Sequence, residues 1–176
     1  MKTIAFSIPI YKYQVQNWEV KKKKLLDLFN SFETRTVNNV ITSPMINNTN
    51  IFLDEINYLE KETNLKFLLS EIWFQKYQKN MNHGIHIHGP HGFSSVCFIK
   101  YDKNHHNPTK FISPFPSHIH GNIEGYEPEV EEGDIIFFPS NLMHHSQTNT
   151  SDKERIVVSM NLNIDFSKKT NNSFYR

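Results

Sequence analysis

Cysteine, alanine and long apolar runs are scarce in this 176-residue chain. The single cysteine, Cys97, cannot form a disulfide within the chain, which favours a reducing compartment. No apolar run approaches the length of a membrane span, and residues 1–13 lack the apolar stretch and small-residue cleavage site of a signal peptide. We therefore expect a cytoplasmic protein without a membrane anchor.

An excess of charge of one sign is also missing. Lys and Arg number 19 against 18 Asp and Glu, so no overall field directs the chain towards nucleic acid or an anionic membrane. Four consecutive lysines, residues 21–24, fall on the polar side of a predicted amphipathic helix, where a solvated surface is a simpler interpretation than a nucleic-acid contact. Composition therefore leaves open whether the substrate is small or macromolecular, and it does not predict an oligomeric state.

Residues typical of strands are abundant, with 14 phenylalanines and 7 tyrosines against one alanine. Helical spacing of apolar residues predicts helices over residues 18–32 and 52–64. Alternation predicts an edge strand over residues 3–10, and residues 36–50 are predicted to be loop. From residue 65 the apolar period is two, which predicts strands over residues 71–79, 84–88, 93–101, 109–113, 134–138 and 155–164.

This order of elements predicts one mainly β domain over residues 1–166, followed by a polar tail over residues 167–176. Residues 1–69 would supply the first strand and the helices, and residues 70–166 the β core. A helical preface followed by a long series of strands favours a closed or double-sheet β core with the helices packed on one side.

All ten histidines lie in the middle of the chain, and two of them, His86 and His88, are two residues apart on a predicted strand. Their side chains would share one face, while the isoleucine before each packs on the other. His144 follows a predicted buried strand and turn, which makes it the best candidate for a third ligand. Three protein ligands with open positions are typical of a catalytic metal site. The alternative is a set of surface histidines without metal. His83 and His91 flank the pair, where either could line the pocket without binding the metal.

Other histidines carry weaker signals. His118 and His120 repeat the spacing in a stretch rich in proline and glycine, so a loop that contacts substrate over the barrel mouth is a simpler prediction than the principal metal site. His105 and His106 precede a proline and are predicted to be solvated.

Arg155 heads a predicted strand whose even positions are apolar and whose odd positions include Ser159 and Asn161. Such a strand fits a barrel with one face towards a ligand-containing lumen and the other sealed by helices. An arginine in the lumen can bind both oxygens of a carboxylate with its planar guanidinium. The alternative is an edge arginine that pairs with Glu154 or is solvated.

Several segments, in this order along the chain, resemble a family of 2-oxoglutarate- and iron(II)-dependent oxygenases found in bacteria and phages. They are Trp73 with Gln75 and Tyr77, the run His86-Ile87-His88-Gly89-Pro90, residues 94–99, and residues 132–144 together with Arg155. The resemblance covers about residues 71–163, and its most specific part runs from Gly133 through His144 to Arg155.

The resemblance implies a double-stranded β-helix, a cupin-like jelly-roll core with iron(II) at one mouth. It implies that His86 and His144 are catalytic iron ligands and that Arg155 binds the far carboxylate of 2-oxoglutarate. His88 would occupy the position of the carboxylate ligand in the usual facial triad. Phe98 stands where related enzymes often have a tyrosine that binds 2-oxoglutarate, and the possible substitutes are Tyr101, Ser95 and Lys110.

The implied reaction uses O2 to hydroxylate a substrate and releases succinate and CO2, with ascorbate as a possible addition in vitro. Two alternatives are a three-histidine, cupin-like metal enzyme that does not use 2-oxoglutarate and a barrel that binds a ligand but has lost turnover.

Overall fold

A computed structural model of the chain describes residues 7–46 and 49–167. Its two helices, α1 (Trp18–Asn30) and α2 (Leu53–Thr63), lie where the helical periodicity predicts them. Asn64 closes α2 in the left-handed conformation, with φ of 53°, which asparagine adopts more readily than most residues. In the described ranges, no helix is both long and apolar enough to cross a membrane.

Eleven strands make up the rest of the regular structure in these ranges. In chain order they are β1 (Tyr11–Gln14), β2 (Arg35–Val37), β3 (Val40–Thr42), β4 (Phe67–Tyr77), β5 (His83–His86), β6 (Phe93–Lys100), β7 (Thr109–Pro116), β8 (Ile123–Tyr126), β9 (Asp134–Pro139), β10 (His144–Ser146) and β11 (Arg155–Ile164). The prediction of a mainly β chain is confirmed. The sequence pattern misses β8 and β10, since both are short and one of them is fully exposed.

The strands form two sheets with antiparallel pairing. The larger sheet has the order β1-β9-β6-β11-β4-β3-β2, and the smaller sheet has the order β5-β10-β7-β8. From β4 onwards the chain passes repeatedly from one sheet to the other, so the two sheets enclose a common interior. One apolar cluster joins the larger sheet to both helices, and a second fills the interior between the sheets.

Strand β11 shows how the sequence builds this arrangement. Its alternate residues Ile156, Val158 and Met160 belong to the apolar cluster that includes the helices. The intervening residues include Arg155 and Ser159, which line a cavity between the sheets. The two faces predicted from the alternation are therefore confirmed, because successive side chains of a strand point to opposite sides.

The prediction of a loop over residues 36–50 is wrong in its first part. Strands β2 and β3 form a hairpin there, and β3 continues the larger sheet against β4. Asn38 and Asn39 make the turn with φ of 50° and 61°, a conformation that asparagine tolerates and that two-residue hairpins require. The signal was present as two asparagines between short β-branched segments.

The strand predicted over residues 3–10 lies partly outside the described residues. Within them, residues 7–10 are not in a strand, and β1 begins at Tyr11, where pairing with Phe137 of β9 starts. Pro9 has no N–H to donate to a neighbouring strand, which accounts for the later start. Strand β1 does lie at the edge of its sheet, as the proline indicated.

Candidate metal centre

Three histidines converge at one end of the space between the sheets. His86 ends β5, His88 lies two residues beyond it, and His144 begins β10. One ring nitrogen from each lies within 4.8 Å of the others, and the Nε2 atoms of His88 and His144 are 3.2 Å apart. Two nitrogens bound to one metal at about 2.1 Å are roughly 3.0 to 3.4 Å apart, so this spacing fits a shared ion.

Pairing between strands explains the convergence. His144 lies directly opposite His86 in the pairing of β10 with β5. His88 is held by its backbone N–H, which donates to the Ser140 carbonyl at 2.8 Å just after β9 ends. Residues far apart in sequence therefore reach one point because β9 and β10 bring residues 140–144 beside β5.

Backbone carbonyls determine which nitrogens are available to a metal. The His86 Nδ1–H donates to the Gly84 carbonyl at 2.7 Å, and the His144 Nδ1–H donates to the Leu142 carbonyl at 2.9 Å. In a neutral imidazole the other nitrogen, Nε2, then carries a lone pair. Both rings are thus held in the tautomer that binds a metal through Nε2.

The prediction that Ile85 and Ile87 pack into the core is wrong. They are 63% and 51% exposed, because no element in the described ranges covers the outer face of β5 at the edge of the smaller sheet. The strand also ends at His86, so His88 reaches the cluster from an irregular segment instead of a continuous ladder. The two histidines nevertheless share a side, as their spacing predicts.

Burial keeps the rings of His88 and His144 neutral. Desolvation lowers the pKa of His88 to about 4, with a smaller contribution from His86, and lowers the pKa of His144 to about 3. The pKa of His83, which stacks on His86, is lowered to about 4 by the same causes. The neutral form is the one that binds metals, so the site is prepared for a cation at neutral pH.

Arg155 lies in the same cavity at the start of β11, with 2% of its surface exposed. Its guanidinium stacks on the Tyr77 ring at 4.2 Å and donates from one terminal nitrogen to the Asn107 carbonyl. Its Nε atom is buried without a hydrogen-bond partner. An unsatisfied donor on a buried cation is costly, and a carboxylate ligand would satisfy it.

No carboxylate pairs with Arg155 in the described part of the chain. The neighbouring Glu154 pairs instead with Lys100 at 2.6 Å and Lys76 at 3.9 Å, and β11 is an interior strand. The alternative of an edge arginine paired with Glu154 is therefore wrong. Burial without an anion lowers the pKa of Arg155, which marks the pocket as one that favours a negatively charged ligand.

The cavity that joins Arg155 to the histidines has a volume of about 20 Å³, close to the space of one water molecule. A five-carbon diacid would therefore enter only if side chains in the cavity move. The sequence pattern places Ser159 on the lumen face, and Gln75 and Tyr77 are part of the family resemblance, but sequence reasoning missed the polar lining residues of β7 and β10, Thr109 and Ser146. Besides the histidines and Arg155, five polar residues of the lining come from β4, β7, β10 and β11. These residues are Gln75, Tyr77, Thr109, Ser146 and Ser159.

The three substitutes named for the missing tyrosine at Phe98 do not line this cavity. The Tyr101 hydroxyl donates to the His106 carbonyl at 3.0 Å, and Lys110 pairs with a glutamate on the protein surface. Ser95 is buried within β6, and its side chain does not line the cavity. A single strand position cannot reveal which polar group fills a cavity built from two sheets.

The remaining histidines divide by position. His118 and His120 are exposed in a turn between β7 and β8 and do not belong to the three-histidine cluster. That this turn contacts substrate stays a prediction. The prediction of a solvated His106 is wrong, since the residue is 7% exposed. Its Nδ1 accepts from the Asp102 N–H at 3.0 Å, and its Nε2–H donates to the Lys153 carbonyl at 3.1 Å, which joins two loops.

Comparison with protein families gives one match, to the family described as "Putative 2OG-Fe(II) oxygenase", over residues 71–161. That segment contains all three clustered histidines and Arg155. Among curated proteins, none matches this sequence.

Solved structures with the same fold include several oxygenases. An oxidoreductase of the 2OG-Fe(II) oxygenase family from Burkholderia pseudomallei has a TM-score of 0.66 at 11% identity, over 87% of this chain and 83% of that one. A Pseudomonas putida prolyl-4-hydroxylase has a TM-score of 0.63 at 10% identity, over 89% and 92%. HygX from Streptomyces hygroscopicus, solved with nickel, 2-oxoglutarate and hygromycin B, has a TM-score of 0.65 at 9% identity, over 90% and 84%. The predicted jelly-roll core is thereby confirmed.

Proposed function

Because this chain belongs to the 2OG-Fe(II) oxygenase family, we propose that it is an iron(II)- and 2-oxoglutarate-dependent dioxygenase that hydroxylates its substrate. One observation carries the proposal. A buried arginine without an anionic partner among the described residues shares a cavity with three converging imidazoles. A metal chelated by a dicarboxylate would occupy the imidazole nitrogens and would also give Arg155 an anionic partner.

His86, His88 and His144 would hold the metal through ring nitrogens, and the open positions would receive the other reactants. Bound iron with 2-oxoglutarate and O2 supplies the oxidising chemistry, in which one oxygen atom enters the substrate and the other enters succinate as CO2 leaves. The protein orients the ligands. The Gly84 and Leu142 carbonyls hold two of the three rings in place.

Arg155 would bind the carboxylate of 2-oxoglutarate that is remote from the metal. Its stacking on Tyr77 fixes the plane of the guanidinium, so the unpartnered Nε and a terminal nitrogen can face one carboxylate. The bond to the Asn107 carbonyl would weaken as the ligand enters. This exchange replaces a neutral acceptor with a charged one, and it would accompany the opening of the small cavity.

His88 makes the proposed centre more positive than one with a carboxylate ligand. A neutral imidazole in that position removes a negative charge that helps to stabilise higher oxidation states of iron. Binding of the dianionic 2-oxoglutarate would then supply most of the negative charge near the metal. We propose iron(II) as the native metal and a slow basal turnover as the consequence of His88.

The proposed location is the cytoplasm, where iron(II) and a reduced, buried Cys97 are both maintained. Loops around the cavity would recognise the substrate, because binding residues concentrate on loops held by a rigid scaffold.

Succinate release tests the proposal directly. Protein supplied with iron(II), ascorbate and 2-oxoglutarate should form succinate above a metal-free control, even without substrate. His144→Ala should abolish the release, and His118→Ala should not alter it. If metal binds but calorimetry detects no binding of 2-oxoglutarate, the better interpretation is a three-histidine metal enzyme that does not use 2-oxoglutarate. If 2-oxoglutarate binds but no succinate forms with any candidate substrate, the protein is a binding barrel.

A further inference from the structure

A fourth histidine lies against the three-histidine cluster without joining it. His83 begins β5, and its ring stacks on that of His86 with centroids 4.1 Å apart and planes 26° apart. His83 also lines the cavity that contains Arg155. In the described residues, the only group of histidines or acids spaced to share a metal is His86, His88 and His144. His83 therefore lies beside the proposed centre and is not one of its metal ligands.

A chain of hydrogen bonds from the larger sheet fixes the proton on this ring. The Ser159 hydroxyl donates to Gln75 Oε1 at 3.4 Å, so the other end of the Gln75 amide, Nε2, faces His83. That Nε2 is 3.1 Å from His83 Nδ1. An amide NH2 group can only donate, so His83 Nδ1 accepts the hydrogen bond from Gln75. A neutral imidazole whose Nδ1 accepts carries its proton on Nε2.

This tautomer is the opposite of the one imposed on the metal ligands. His86 and His144 donate from Nδ1 to carbonyls and leave Nε2 free for a metal. His83 accepts at Nδ1 and presents an N–H from Nε2. Strand β5 thus presents a lone pair on Nε2 of His86, its last residue, and an N–H donor on Nε2 of His83, its first residue. Both side chains line the same cavity.

We propose that His83 binds an anionic oxygen of the ligand chelated at the three-histidine centre, with Nε2–H as donor, and that Gln75 is the positioning residue that sets this tautomer. The inference rests on the proposed function, because it requires a metal and an anionic ligand in the cavity. Three neutral ligands leave the charge of a divalent metal uncompensated by protein. The bound anion then supplies the negative charge that a carboxylate ligand supplies in the usual site. A hydrogen bond from His83 would help to hold that anion at the metal.

Nitrogen NMR reads the tautomer without any activity measurement. In the zinc-loaded protein, labelled with 15N-histidine, His83 should show a protonated Nε2 and an unprotonated Nδ1, while His86 and His144 show protonated Nδ1 and metal-bound Nε2. Adding 2-oxoglutarate should shift the His83 Nε2–H signal. A His83 ring bound to zinc through Nε2, or protonated at Nδ1, would overturn the proposal.

Variants at two positions then test the consequence for binding. His83→Phe keeps a flat ring over His86 but has no donor, so we expect zinc content to be unchanged and 2-oxoglutarate affinity to fall roughly tenfold to a hundredfold. Gln75→Glu offers only acceptors to His83, which moves the proton to Nδ1 and should lower the affinity to a similar extent. His91→Phe, a change at an exposed histidine outside the cavity lining, is the matched control.

The double variant separates the hydrogen bond from the added charge of the glutamate. If Gln75 acts through His83, the loss of 2-oxoglutarate affinity caused by Gln75→Glu should be larger in the wild-type background than in the His83→Phe background, where only the charge of the glutamate acts. Additive losses, or unchanged affinity in His83→Phe, would contradict the proposal. Failure of the proposed function looks different, since wild-type protein would then bind no zinc or no 2-oxoglutarate at all.

Discussion

The chain contains the tripeptide His-Ile-His twice, and the two copies have opposite surroundings. His86 and His88 lie at the end of β5 beside His144, whereas His118 and His120 lie in an exposed turn between β7 and β8. In the second copy, the Ser117 side chain and the Asn122 carbonyl hold the turn together through backbone hydrogen bonds. The same residues at the same spacing thus form a candidate metal centre in one place and a solvated loop in the other.

The difference lies in what the rest of the fold brings to each pair. His86 of β5 lies directly opposite His144 of β10, and Arg155 lines the same cavity. The exposed turn has neither a third ligand nor a buried cation near it in the described structure. The comparison teaches that a short motif specifies possible ligands, while the opposing strand decides whether they can act together.

Metal analysis gives the largest expected contrast between the two pairs. His86→Ala and His144→Ala should each reduce bound metal from about one ion per chain to near background, because two neutral ligands rarely retain an exchangeable divalent ion. The matched changes His118→Ala and His120→Ala should leave the metal content at the wild-type value. Retention of metal by both cluster variants would remove the distinction between the pairs.

Arg155 provides the next contrast, since only the first pair shares a cavity with a buried guanidinium. Arg155→Ala should weaken 2-oxoglutarate binding by about 3 to 5 kcal/mol, because it strands the ligand's buried carboxylate without a partner. Arg155→Lys should recover little of the loss, since the planar fork is missing. Calorimetry on the metal-loaded variants measures both, and equal affinities in wild type and both variants would contradict the assigned role.

Acid should lower the free energy of unfolding through the buried ring of His144. The pKa of His144 is about 3 in the folded protein against 6.5 for the free side chain, so below pH 6.5 the unfolded state binds more protons. The stabilisation is complete above pH 6.5 and is lost as the pH falls towards 3. In metal-free protein, each such histidine should lower the unfolding free energy by about 1 kcal/mol between pH 7.5 and pH 5.5.

Urea unfolding with a chelator present measures this loss at the two pH values. His144→Gln should reduce the pH-dependent part of the unfolding free energy by about 1 kcal/mol. His118→Gln, the same change at an exposed position, is the reference for the substitution itself. An identical pH dependence in wild type and His144→Gln would show that the ring is not held neutral by burial.

The smallest expected effect concerns the unusual third ligand. His88→Asp introduces the carboxylate of the common facial triad, and it should preserve succinate formation or raise it a few-fold, because negative charge favours oxidised iron. His120→Asp, the same change in the exposed pair, should leave the rate unaltered. Complete loss of succinate in His88→Asp, with metal still bound, would mean that the site is tuned to three imidazoles.

Much of this protein follows from local sequence pattern. Period-two apolar residues predict most core strands, and the spacing in α1 and α2 predicts both helices, because backbone geometry forces side chains to one face at those intervals. The sequence also singles out His86, His88, His144 and Arg155 as candidates. It does not predict the burial of His106 or the exposure of Ile85, since both depend on which element covers them.

By itself, then, the sequence determined the mainly β class, the two helices and the identity of the candidate ligands, because each depends on residue type and local periodicity. Tertiary structure alone decided that His86 lies opposite His144 of β10, that Arg155 has no anionic partner among the described residues, and that the Gln75 amide contacts His83. These are relations between side chains that lie on different strands. They arise from the pairing of strands in two sheets, which no short stretch of sequence encodes.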